Sequence, residues 1–200
     1  MKLKKISVTS FKKIAELEIE LHALNLVIGA NNSGKSSLLQ AIHTAVSAAQ
    51  SQTEVGSTTF AEEILRYSPS SQFASLSHGS SFGNRKNQNR ATIKFTADQT
   101  VDNINEEIEY TIEMYKGRNE RNVGINRSGH QRLGNSISSI ENPFSIYVPG
   151  LAGIPHFEEF RASPVVLRKL AGGEANLVLR NIIWQITKQE KLGELISNLN

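Results

Sequence analysis

The 200-residue chain contains no cysteine. That excludes a disulfide scaffold, cysteine-ligated zinc, an iron–sulfur cluster and thiol catalysis. No apolar run approaches the roughly 20 residues of a membrane span. The first residues are basic but lack the apolar stretch of a secretory signal, so a soluble, cytoplasmic protein with no membrane partner is expected. Charge of one sign is also scarce: 22 Lys and Arg stand against 19 Asp and Glu. A net charge of +3 is too mild to argue for a nucleic-acid partner by itself. What is present is globular: 38% hydrophobic and 20% charged residues in a chain long enough to bury a core unaided. No repeat at solenoid spacing occurs.

The apolar pattern predicts a strand with Leu3, Ile6 and Val8, a turn at Phe11, Lys12 and Lys13, and a strand in which Leu17, Ile19 and Leu21 alternate with glutamates. Residues 24–28, with Leu24, Leu26, Val27 and Ile28, are expected to form a fully buried strand of an α/β sheet. A helix over about 35–50 follows, and a short one over 60–67 is suggested by Thr59 and Glu62 at capping-box spacing. Residues 68–90 read as a long, partly mobile loop. Strands are expected at 91–96, 107–115 and 144–148, with a hairpin and basic loop between 115 and 136. Helical spacing runs from about Pro164 to Leu199.

One motif dominates. Gly29, Ala30, Asn31, Asn32, Ser33, Gly34, Lys35 and Ser36 satisfy G-x-x-x-x-G-K-[ST]. The glycines let backbone N–H groups form a concave nest for phosphates, and the following helix points its positive end at the same anion. Lys35 is placed to reach the β- and γ-phosphates as the catalytic cation, and the Ser36 hydroxyl to ligate Mg²⁺. ATP and Mg²⁺ are the expected cofactors.

With the Phe11, Lys12, Lys13 turn and the run from Leu24 to Ile42, the chain resembles the SMC/RecF-type branch of the ABC-class ATPases. It is most similar there to the OLD-like and related AAA family ATPases of bacterial DNA maintenance and antiphage defence. The resemblance implies that Lys12 or Lys13 approaches the nucleotide phosphates, that Asn31 sits near the γ-phosphate and that Ser37 lies by the α-phosphate. It implies an α/β fold: a P-loop NTPase half-head of ABC/SMC type with an antiparallel β subdomain and a C-terminal helical segment. Residues 1–160 would be the N-terminal lobe, and 161–200 the truncated start of a helical arm or lid. Two complete heads would form a homodimer sandwiching ATP, with DNA and a partner or fused nuclease as possible associates.

Other family features fit less well. Residues 144–155 occupy the position of the family's Q-loop but contain no glutamine. Leu170, Ala171, Gly172, Gly173 and Glu174 resemble the ABC signature with alanine in place of serine; a Gly-Gly helix boundary is the plainer reading. No apolar strand ends in an acidic pair, since Pro155 and His156 interrupt the run before Glu158 and Glu159. The chain is therefore expected to bind ATP but hydrolyse little, the Walker B carboxylates lying in a missing half.

The alternative is a DNA-binding or assembly module in which nucleotide is only structural. Its surface would use Lys116, Arg118, Arg121, Arg127 and Arg132, or Arg85, Lys86 and Arg90. No aromatics interleave these residues, so stacking on single strands is not expected. A transporter head is disfavoured, Phe11 being the one candidate for an upstream base-stacking aromatic. The five histidines lack metal-ligand spacing, and Trp184 is expected in core or interface packing.

Overall fold

The computed structural model describes residues 1–83, 89–101, 104–119, 121–149 and 157–188. The chain opens with a hairpin, β1 (Lys2–Phe11) and β2 (Ile14–Glu20), closed at Phe11 and Ile14. Helix α1 (Lys35–Val55) follows and stops at Gly56, whose positive φ lets its N–H return to the Gln52 carbonyl. Then come β3 (Thr59–Ala61), β4 (Ala91–Val101), β5 (Ile104–Lys116), β6 (Asn122–Gly129), α2 (Gln131–Ser138), α3 (Ser163–Ala171) and α4 (Leu179–Lys188). The six strands form one sheet in the order β2-β1-β4-β5-β6-β3, every pairing antiparallel.

Alternation decides which side of the sheet is covered. Ile6 and Val8, Ile93 and Phe95, Ile112 and Met114, and Val123 and Ile125 are all buried. Each such side chain stabilises by about 1.5–3 kcal/mol relative to exposure. Helix α1 covers them with small residues, Ala41, Ala45, Ala48 and Ala49, which permit close approach. The opposite face carries ion pairs: Lys5 with Glu18 at 2.9 Å, Lys94 with Glu109 at 3.0 Å, and Arg90 with Glu113 at 2.7 Å. A second apolar cluster joins Val166 and Leu170 of α3 to Ala175 and Val178. No helix among the described residues is long and apolar enough to cross a membrane.

Several sequence expectations are corrected. Residues 24–28 pair with no strand; Leu24 and Leu26 are each 86% exposed and Ile28 81%. A parallel strand needs neighbours delivered by crossovers, and all six strands here are engaged in antiparallel pairs. Asn25 instead bonds locally to the His22 backbone, its Oδ1 accepting from the His22 N–H. The buried core-sheet strand expected at 24–28 is thus not formed among the described residues; the antiparallel sheet is. Residues 144–148 form no strand, with Ser145 and Tyr147 turned to His43 and with Ile146 and Val148 exposed.

The 60–67 helix is replaced by β3 and a 3-10 turn at Glu62–Ile64, because the Glu62 carboxylate accepts from the Phe73 N–H and so does not cap Thr59. The basic hairpin region holds β6 and the helix α2. Within the expected 68–90 loop, Phe73, Leu76 and Phe82 are buried, so 68–83 is anchored. Arg85 and Lys86, the Q-loop residues 150–155, His156 and the helical pattern beyond Lys188 lie outside the described residues.

Candidate functional site

The loop between residue 28 and α1 folds back on itself. At Gly29 a Cβ would stand 2.8 Å from the Ser33 Oγ, so a side chain there would have to turn that hydroxyl aside. Asn32 has φ +67° and Gly34 φ +99°, two successive reversals that deliver the chain into α1. Gly34 caps α1 without a side-chain bond, and no acid stands in the first turn. The helix therefore presents its first N–H groups and positive end to the loop's concavity.

That concavity is a cavity of about 270 Å³, lined by Lys13, Asn31, Asn32, Ser33, Gly34, Lys35, Ser36 and Ser37. The Lys35 ammonium donates to the Gly29 and Ala30 carbonyls, both at 2.7 Å. A polyphosphate is the ligand this donor set suits: backbone N–H groups, one flexible ammonium and hydroxyls, with no carboxylate in the lining. Ser36 is exposed in that lining and is the residue that could ligate Mg²⁺ beside phosphate oxygens and water; Ser37 is buried behind it. Among the described residues no cluster of His, Asp or Glu could hold a metal by itself.

The two candidate lysines separate. Lys13 lines the phosphate cavity, and its Cβ is 3.7 Å from where a Cβ on Gly34 would stand. Lys12 turns away, its Nζ donating to Gln40 of α1 at 2.7 Å. Lys12 holds φ +49° and Ser10 φ +59°, an unusual backbone that neighbours over-determine. The Lys12 N–H donates to the Leu76 carbonyl at 2.7 Å, and the His78 N–H donates to the Ser10 carbonyl at 3.2 Å. His78 Nδ1 lies 2.8 Å from the Lys12 carbonyl and must carry the proton, a carbonyl being only an acceptor. The segment 73–82 is therefore a clamp over the turn that carries Lys13. Its signal in the sequence was the apolar Phe73, Leu76 and Phe82 within the Ser-rich run. Phe11, proposed as a base-stacking aromatic, is wholly buried and serves the core.

Residues 1–49 match the family model described as AAA ATPase domain. The match takes in β1, β2, the exposed 24–28 segment and the phosphate loop, and ends inside α1. It supports a P-loop ATPase that binds and hydrolyses ATP, typically with Mg²⁺. No curated protein matches the chain.

The remaining candidates are spent on structure. Gly172 and Gly173 end α3, and Glu174 pairs with Lys169. The backbone of Ala171 reaches α1, where His43 Nε2 meets its carbonyl at 3.1 Å. His43 is buried against Tyr67 and Tyr147, and desolvation holds its imidazole below the usual range. Glu158 binds the N-terminus of α4, accepting from the Arg180 and Asn181 N–H groups at 2.9 Å, and Glu159 pairs with Arg161. Of the arginines proposed for DNA, Arg127 is turned toward α1 and α2, donating to Ala49, Thr53 and Ser138. Trp184 is 46% exposed and packs edge-to-face on Phe160.

Proposed function

We propose that the chain is the ATP-binding half of an ATPase head of the SMC/RecF type, in the OLD-like branch, acting in DNA maintenance or antiphage defence. The observation that carries this reading is a phosphate cradle with a lysine, a hydroxyl and an uncapped helix N-terminus but no carboxylate in its lining. The α1 N–H groups and Lys35 would bind and orient the triphosphate, Lys35 stabilising charge that develops on the γ-phosphate as water attacks in line. Lys13 adds a second cation at the mouth. Ser36 would hold Mg²⁺, which would supply positive charge to offset the negative charge of the phosphates.

The carboxylates that position the attacking water would come from a complementary half. The exposed apolar side chains of Leu24, Leu26 and Ile28, leading straight into the cradle, support a surface that such a half covers. The complete heads would dimerise around ATP and engage DNA or a nuclease. The DNA-module alternative is less well supported: of its basic residues Arg90 is paired with Glu113 and Arg127 is turned toward α1, which leaves Arg118, Arg121 and Arg132 as its exposed cations among the described residues.

Labelled ATP with Mg²⁺ tests the reading. Lys35→Ala is expected to weaken binding about tenfold or more, the range for losing hydrogen bonds to a charged partner. Equal binding by both proteins would overturn nucleotide binding at this loop. Robust hydrolysis by the purified 200-residue chain would overturn the half-site reading while leaving ATP binding intact.

A further inference from the structure

Val123, Ile125 and Arg127 alternate along β6 on the face that α1 covers. The first two are buried apolar side chains; the third is a half-buried arginine. An arginine at such a position needs its donors satisfied and its charge compensated. The fold supplies only part of this. Arg127 Nη1 donates to the Ala49 carbonyl at 3.1 Å, to Thr53 Oγ1 at 2.8 Å and to Ser138 Oγ at 2.8 Å. These three neutral acceptors, on α1 and α2, fix the guanidinium. No carboxylate pairs with it among the described residues, and no acceptor there meets its Nε or Nη2. Arg66, Arg90, Arg161 and Arg180 each have a carboxylate.

Arg127 lines a cavity of about 730 Å³ between the end of α1, the paired ends of β5 and β6, and α2. It opens broadly to solvent, so a small molecule can reach the side chains that line it. Tyr110 of β5 lines the same cavity, its ring laid against Gly134 of α2, where a Cβ would stand 2.3 Å from Cε2. The Tyr110 hydroxyl has no protein partner among the described residues. Burial pushes this phenol up and the Arg127 charge opposes that, so the group is protonated and able to donate at neutral pH. Gln131, Asn135 and Ser139 add further polar groups; Glu141 is the acid in the lining, and it is exposed.

We propose that this cavity binds the oxyanion of a small molecule, a phosphate or carboxylate group, through the unused edge of Arg127 and the Tyr110 hydroxyl. A guanidinium edge matches two oxygens of either group. The site is separate from the phosphate loop: Thr53 lies about 27 Å along α1 from Lys35, at 1.5 Å per residue. The proposal is independent of the nucleotide reading.

Amide NMR of the ¹⁵N-labelled chain, titrated separately with inorganic phosphate and with citrate, tests it by position. Saturable shifts are expected at Ser128, Gly129 and Asn135 with at least one anion, and which anion identifies the group recognised. Arg127→Gln should weaken those shifts about tenfold or more, and Tyr110→Phe several-fold. Lys35→Ala should leave them unchanged while removing phosphate effects at residues 29–37. Absence of saturable shifts at the cavity with both anions overturns the proposal. So does persistence of full affinity in Arg127→Gln. If Arg127→Gln does not fold, Tyr110→Phe decides, and unchanged affinity in that variant overturns the site.

Discussion

Lys12 Nζ donates to Gln40 Oε1 at 2.7 Å, which ties the β1–β2 turn to the second turn of α1. Burial holds this ammonium below the usual lysine range. The bond fixes a backbone at φ +49° and leaves the neighbouring Lys13 over the phosphate cavity. The two lysines should therefore behave differently. Lys13→Ala is expected to weaken ATP binding several-fold with little change in stability. Lys12→Ala should cost about 1 kcal/mol of stability through the lost bond and affect ATP less. Paired ATP titrations and denaturant melts check this; a larger ATP defect in Lys12→Ala would reverse the assignment.

Gly172 and Gly173 offer a sharper contrast. At Gly173 the backbone has φ +73°, and a Cβ would meet the Tyr67 ring at 2.8 Å and Tyr147 at 3.3 Å. At Gly172 the nearest atom is 3.4 Å away and φ is −78°. Gly173→Ala is expected to destabilise by about 2 kcal/mol or more, strain adding to overpacking. Gly172→Ala should change stability by less than about 1 kcal/mol. Urea melts measure both. Equal effects would mean that the glycine pair does something other than end α3 beneath Tyr67.

These contrasts show why parts of the molecule were legible in sequence and others were not. The phosphate loop is local: its glycines, lysine and serines fall within eight residues, and the spacing alone puts them around one concavity. The 24–28 segment is not local. Its apolar residues read as a buried strand, but burial depends on neighbours, and none is supplied among the described residues. Helix α2 was missed because it carries only Leu133 and Ile137 as large apolar anchors among polar residues and a glycine. The Thr59 and Glu62 pair misled because a capping carboxylate serves whichever N–H tertiary structure brings to it, here that of Phe73. Arg127 looked like a surface cation because nothing in a single strand reveals that its alternation partners face a helix.

His43 links the P-loop helix to the end of α3 and should give the fold an acid sensitivity. Its Nε2 donates to the Ala171 carbonyl, and because burial favours the neutral ring, Nδ1 then accepts from the Ser145 hydroxyl. Burial lowers its proton affinity relative to the unfolded chain. The unfolded state then binds the proton more readily, so this contribution is fully present above the ordinary histidine value of about 6.5 and declines as pH falls below it. Denaturation midpoints between pH 7.5 and about 5 should fall more steeply for wild type than for His43→Gln. The variant should be less stable at neutral pH by about 2 kcal/mol, and the gap should narrow in acid. Parallel pH curves would show that His43 does not contribute the acid sensitivity.

Glu158 tests the C-terminal helical unit. Its carboxylate accepts from the Arg180 N–H at 2.9 Å, the Asn181 N–H at 2.9 Å and the Asn181 Nδ2 at 2.6 Å. Asn181 returns through Oδ1 to the Arg161 N–H at 2.8 Å and through Nδ2 to the Glu159 carbonyl at 2.9 Å. Burial alone would raise this carboxyl; the backbone donors of Asn181 and Arg180 outweigh it and hold it below the usual range. The stability it confers is therefore present above about pH 4.3 and lost as pH falls through its depressed value. Glu158→Ala removes a helix cap, worth about 1–2 kcal/mol, at the first turn of α4. Trp184 is the only tryptophan of the chain, stands on that helix and packs on Phe160 at 4.8 Å between ring centroids, so its fluorescence reports the unit directly. In Glu158→Ala the Trp184 transition should shift to lower urea while ATP binding at the distant loop stays intact. An unshifted Trp184 transition would show that the cap is dispensable; a lost ATP affinity would show that Glu158 also acts on the nucleotide site.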